Sequence, residues 1–230
     1  MKIKNILAFV LVVLVSVFSG VAYAHGVDGE TQKFLTNNEG AAFIPFLYIG
    51  AKHMITGYDH LLFLVGVIFF LYKPKEVLIY VSFFTIGHSA TLLLGVMADI
   101  HVNAFLIDAI IALSIVYKGF DNLGGFEKFF GKQPNTKVAV LIFGLFHGFG
   151  LATKLQEFQF SKEGLFTNLI GFNIGVEIGQ FLALLFVIIV INVWRRYPSY
   201  HKFSTVTNTA LMVAGFLLIG FQLTGYFVSV

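Results

Sequence analysis

The chain has 230 residues, 57% of them hydrophobic and only 12% charged, with a formal net charge of +3 and a mean hydropathy of +0.85. The charged share is about half that of a soluble domain, which excludes an ordinary soluble globular protein and a disordered one, and the length leaves no room for a separate soluble catalytic domain beside about six apolar helical spans. Fifteen Lys and Arg spread between apolar runs form no basic stripe for nucleic acid, and the lack of cysteine removes disulfides, thiolate metal sites and cysteine nucleophiles. The composition predicts an all-α, polytopic membrane helix bundle.

Lys2 and Lys4, the apolar run Ile6 to Phe18 and Ala22-Tyr23-Ala24 read as a secretory signal peptide over residues 1–24. Cleavage after Ala24 would leave His25 at the mature N-terminus, where its α-amino group and ring nitrogen could chelate a metal ion such as copper or nickel. Residues 25–40 are polar and read as an exported segment. Residues 41–230 read as the transmembrane domain.

Within that domain the apolar stretch Ala41 to Tyr72 is interrupted by charged and histidine residues. It predicts a short helix at about Ala41–Thr56 and a span at about Tyr58–Tyr72. Further spans are predicted at about Val77–Met97, Ala104–Phe120, Val138–Thr153, Leu165–Val193 and Thr205–Phe227. The glycines and proline of Asp121–Lys137 predict a loop, and Trp194 and Tyr197 an interfacial end. One set of loops holds Lys73, Lys75, Lys118, Lys128, Lys132, Lys137, Arg195, Arg196 and Lys202. It outnumbers the other set of Lys33, Lys52, Lys154 and Lys162, which places the first set in the cytoplasm. Both mature termini then lie on the outer, periplasmic side of a bacterial-type inner membrane. No repeat of short fixed period and no low-complexity tract is evident.

Polar side chains at membrane depth usually mark a pathway or a site. His53, Asp59 and His60 open the first span, His88, Ser89 and Thr91 lie on the second, and Asp108 and Ser114 on the third. His147 is on the fourth, and Asn173, Glu177 and Gln180 share one face of the fifth. At 1.5 Å per residue, His88 lies ~16 Å and His147 ~14 Å from the cytoplasmic ends of their spans, and Glu177 ~18 Å from the outer end of its own. The expected picture is an outer cluster of His53, Asp59, His60 and Asp108 above a central cluster of His88, His147 and Glu177. Asn173 and Gln180, with Ser89, Thr91 and Ser114, would orient the ligands.

Several segments resemble a known family. Gly50-Ala51-Lys52-His53 followed by Gly57-Tyr58-Asp59-His60-Leu61-Leu62-Phe63 resembles the G..H...G.DHLLF signature of the HupE/UreJ membrane proteins. Phe84-Thr85-Ile86-Gly87-His88-Ser89-Ala90-Thr91-Leu92 resembles FT..HS.TL, and Phe143-Gly144-Leu145-Phe146-His147-Gly148-Phe149-Gly150 resembles FGL.HG.G. Phe172-Asn173-Ile174-Gly175-Val176-Glu177-Ile178-Gly179-Gln180 resembles FN.GVE..Q. The likeness runs in order from Gly50 to Gln180, as in a divergent branch, with Asp108 and Asp121 standing where glutamate is expected. That family is described as transition-metal permeases, for nickel above all, associated with hydrogenase and urease maturation. The resemblance implies uptake of a divalent metal, most directly nickel, with copper, cobalt or zinc as alternatives. The matching His53, Asp59, His60, His88, His147 and Glu177 would be its ligands, the bilayer its setting and a metalloenzyme maturation system its partner. Two other classes stay open: an intramembrane metal-dependent hydrolase and a metal-binding accessory protein without transport.

Overall fold

A computed structural model of the chain describes residues 33–34, 38, 40–156 and 163–229. The expected signal peptide and His25 lie outside them. The described residues are helical apart from turns and short connections. In chain order the helices are α1 (Phe43–Thr56), α2 (Tyr58–Ile68), α3 (Pro74–Met97), α4 (Ala104–Asn122), α5 (Gly125–Phe130), α6 (Thr136–Gln156), α7 (Leu165–Arg195) and α8 (Ser199–Ser229). Four stretches, Lys75–Met97, Thr136–Gln156, Leu165–Arg195 and Ser199–Ser229, are long and apolar enough to cross a membrane by themselves. The expected spans are therefore met in part. The expected short helix is α1, 14 residues, and the expected first span, Tyr58–Tyr72, shortens to the 11-residue α2, neither long enough to cross alone. The third, α4, is 19 residues, about 28 Å, and carries Asp108, Lys118 and Asp121. The segment expected as a loop after α4 contains the short α5, bracketed by Gly124 and Gly131 at φ +70° and +67°, a left-handed backbone that glycine adopts without penalty.

Helices pack in three close pairs, α3 with α6, α1 with α7, and α4 with α8. Each contact is made by glycines that admit a neighbouring backbone. A Cβ on Gly175 would strike the Leu47 carbonyl and one on Gly179 the Ala51 carbonyl, so α1 and α7 run parallel. Gly144 abuts Phe84 and Gly148 abuts His88, so α3 and α6 are parallel too. Gly119 meets Asn208 and Met212 while Gly225 meets Phe105, so α4 and α8 are antiparallel. The short α2 sits among these pairs, touching α4, α7 and α8.

Both ends of the α1–α2 unit are tied to α7. At its start Asn168 accepts from the Ala42 amide at 2.6 Å and donates to the Gly40 carbonyl at 3.0 Å. At the other end Arg195 donates to the Ile68 and Phe69 carbonyls at 2.8 and 2.7 Å. The Tyr200 hydroxyl also donates to the Phe69 carbonyl. These are free carbonyls of a helix C-terminus, which a cation suits both as donor and against the helix dipole. The long helices thus set the height at which the chain breaks at Gly57, between His53 and His60.

Candidate metal site

The break at Gly57 does not separate the two histidines expected to share a helix face. The His53 and His60 rings meet edge-to-face with centroids 5.2 Å apart. His60 lies 5.0 Å from His147 of α6 and 6.3 Å from His88 of α3. The expected outer and central tiers are therefore one imidazole cluster, drawn from α1, α2, α3 and α6. Its walls are aromatic: the Phe84 ring is 4.9 Å from His147 and 6.0 Å from His88, and the Phe63 ring 5.7 Å from His147. His60 is 4% exposed, and His88 and His147 are each 1% exposed.

The hydrogen bonds within the cluster decide its chemistry. His147 Nδ1 lies 2.7 Å from the Phe143 carbonyl oxygen. A carbonyl only accepts, so Nδ1 carries the proton and Nε2 keeps its lone pair. His60 Nδ1 lies 2.9 Å from Asp59 Oδ1, which also accepts from the His60 amide at 2.9 Å, so His60 Nε2 is likewise a bare acceptor. Both Nε2 atoms are buried without a partner, as are His53 Nε2 and both nitrogens of His88. An unsatisfied buried polar group costs about 1–3 kcal/mol, and here several lie within one cluster of rings. Imidazoles whose far nitrogen is fixed by a carboxylate or carbonyl are the usual form of histidine prepared for a metal. Among the described residues no three His, Asp or Glu side chains are arranged to hold a metal ion together.

Beside the cluster a small cleft of about 30 Å³ is lined by Tyr58, Asp59, Asp108, Ile111, Lys154 and Leu218 among others. Asp59 thus faces both the cleft and the His60 ring. Asp108 does not touch the rings. Its carboxylate pairs with Lys154 at 2.9 and 3.0 Å. Lys154 was legible only as a loop lysine, because nothing in the sequence placed the end of α6 opposite Asp108.

Glu177 departs from expectation. It lies on the exposed face of α7, beside exposed Ile178 and Phe181, and no hydrogen bond or ring contact joins it to His88 or His147. The reason is the glycine stripe of α7: Gly171, Gly175 and Gly179 face α1 and turn Glu177 away. The other polar residues divide. Thr91 donates to the Leu145 carbonyl of α6 at 2.7 Å, a bond between helices, and Ser114 to the Ile111 carbonyl at 2.6 Å within α4. Gln180 accepts from Thr85 at 3.0 Å. Ser89 Oγ and Asn173 Oδ1 are buried without partners.

A second buried polar group, unforeseen in the sequence, closes the opposite end of the bundle. Lys118 pairs with Asp121 at 2.5 Å, and Gln133 also donates to Asp121. Asn122 donates to the Gly66 carbonyl and to Asn208 Oδ1, both at 2.8 Å.

The comparison that bears on identity is with protein families. The family model described as HupE / UreJ protein matches residues 29–230. The chain belongs to the HupE/UreJ family. Searches of curated proteins and of solved structures returned no match. The match covers the eight helices named above and every histidine of the cluster, and with four membrane-length helices among the described residues it makes this HupE/UreJ chain a multi-pass membrane protein of a metal-related family.

Proposed function

We propose that the chain carries a divalent transition-metal cation, nickel above all, across the inner membrane through the imidazole cluster. The observation that carries this reading is the pair of buried, lone-pair-bearing Nε2 atoms on His60 and His147, whose rings lie 5.0 Å apart. Neutral imidazole suits nickel, copper, cobalt and zinc. A cluster with aromatic walls rewards only a guest that satisfies the nitrogens it leaves bare.

In this reading the chain crosses the membrane in six passes, with α1 and α2 together as the first, then α3, α4, α6, α7 and α8. The cleft end faces outward, because the basic residues Lys73, Lys75, Lys128, Lys132, Lys137, Arg195 and Arg196 gather at the other end. A leading signal peptide and capture by His25 belong to the same picture. A hydrated cation is drawn to Asp59 and Asp108, exchanges water for imidazole at His60, and is passed to His147, His88 and His53. Protonation of the imidazoles releases it, toward a metalloenzyme maturation system. The chain acts as a permease, with no catalytic step.

Nickel flux into proteoliposomes tests this. His60→Ala and His147→Ala should each abolish saturable flux while the purified protein stays monodisperse. Equal flux in the two variants and the wild type would refute the site. Stoichiometric binding without flux in the wild type would make it an accessory binder instead.

A further inference from the structure

The helix contacts repeat. Gly50 of α1 abuts the Phe172 carbonyl of α7, and Gly144 of α6 abuts the Phe84 carbonyl of α3. Gly175 of α7 meets the Leu47 carbonyl and the Ala51 amide, and Gly87 of α3 meets the Leu141 carbonyl and the Leu145 amide. Gly119 of α4 meets Met212 Cγ, the Asn208 carbonyl and the Met212 amide. Gly215 of α8 meets Val116 Cγ2, the Ala112 carbonyl and the Val116 amide. These six glycine contacts pair off between the two halves of the chain, the nearest backbone atom being of the same type in each pair. α1 corresponds to α6, α3 to α7 and α4 to α8.

The sequence carries faint echoes in the same register. Gly50-Ala51-Lys52-His53 stands against Gly144-Leu145-Phe146-His147, Phe84-Thr85-Ile86-Gly87 against Phe172-Asn173-Ile174-Gly175, and Gly119-Phe120 against Gly215-Phe216. Paired with α4, which it runs against, α8 is inverted, and the parallel pairs α1–α7 and α3–α6 exchange under the same operation. We infer that the chain is an inverted-topology duplication of a three-helix unit. Its imidazole cluster lies where the halves meet and is exposed to each side in turn as the halves exchange conformations. This rests on the transport reading above.

The ends of the bundle show what exchanges. The open cleft is lined by Ile111, Ala112 and Leu218. In the repeat register their counterparts are Thr207, Asn208 and Asn122. There the equivalent cleft is shut, by the bonds from Asn122 to Asn208 and to the Gly66 carbonyl. The halves also differ at the first helix: the chain breaks at Gly57, whereas α6 continues unbroken through the equivalent Leu151. Inverted repeats with a site at their interface achieve alternating access by this kind of asymmetry. In the exchanged state the Asn122–Asn208 end opens and the Ile111–Leu218 end closes.

The chain has no cysteine, so single reporters can be read directly. Ile111→Cys and Thr207→Cys, in the full chain in lipid nanodiscs with both faces exposed and a chelator present, are labelled with a water-soluble maleimide. Ile111 is 4% exposed at the cleft wall and Thr207 is half-buried, so each labelling rate is read against that of the same reporter without a latch variant. Adding Asn122→Leu, which copies Leu218, or Asn208→Ala, which copies Ala112, should speed Thr207→Cys and slow Ile111→Cys together. The expected change is at least about fivefold, the factor set by the net loss of one hydrogen bond, and larger for Asn122→Leu, which removes the bonds to both Asn208 and the Gly66 carbonyl. Faster labelling at Thr207→Cys without slowing at Ile111→Cys, or no change at either, would overturn the exchange. Two independent latch variants guard against one that fails to fold. The readout needs no metal, so its outcome is separate from that of the nickel-flux test.

Discussion

Asp59→Asn removes charge at the His60 ring while nearly keeping shape. In the native chain the carboxylate accepts from His60 Nδ1 at 2.9 Å and from the His60 amide at 2.9 Å. That arrangement fixes the tautomer that leaves Nε2 bare. Asparagine can still accept, but without the charge that makes such a bond stronger than a neutral one. It can also flip to present its amide, which would favour the opposite tautomer. Loss of an outer partner of a metal-bound histidine typically costs about 10–100-fold in affinity, or about 1.4–2.8 kcal/mol. Calorimetric titration of the purified protein with nickel should show a Kd weakened by that factor and a nearly unchanged melting curve, because the Asp59 side chain is one-quarter exposed. An unchanged Kd in a folded Asp59→Asn protein would refute the claim that Asp59 prepares His60 for a cation.

Gly144→Ala should lower thermal stability in detergent by about 1–3 kcal/mol, the cost of overpacking, because its Cβ would run into the Phe84 backbone. Gly220→Ala, where nothing lies within 4 Å, should be neutral or raise stability by up to about 1 kcal/mol through helix propensity. Equal effects would contradict the packing register. Lys154→Met leaves Asp108 without its counter-charge beside Asp59 in the cleft, so the KM for nickel flux should fall at low salt and the difference should shrink as salt screens the mouth; a KM that rises would contradict the capture role of the two carboxylates. Glu177→Gln should leave nickel affinity unchanged in equilibrium titration, because its side chain faces outward from α7, and a large loss of affinity would show that it turns inward in the binding state.

Much of the fold was legible before any coordinates. Apolar run length set the helices to within a few residues, as with α3 at Pro74–Met97 against the expected Val77–Met97. Carriage of Asp108 on α4 was also plain, whereas Asp121 belonged to the expected loop and Lys118 to the loop cations, and nothing foretold that each would be buried with a partner supplied by α6 or by the last turn of α4. The candidate site was legible as a set of residue types and only partly as a set of neighbours. Depth estimates set His53 and His60 above His88 and His147, whereas the structure gathers the four rings into one cluster. Those estimates assumed straight, upright helices, but the break at Gly57 and the tie of Ala42 to Asn168 carry His60 down to His147.

Composition and hydrophobic runs by themselves determined that this chain is a helical membrane protein, that it has no thiolate to offer a metal, and which histidines lie within apolar helices. Those are properties of residue type and local spacing, fixed along one helix. Which side of each helix faces inward was decided only in the tertiary structure, because it depends on where glycines let a neighbouring backbone approach. That choice gathered the four histidine rings, sent Glu177 to the surface, and set the two halves of the chain against each other in matching register.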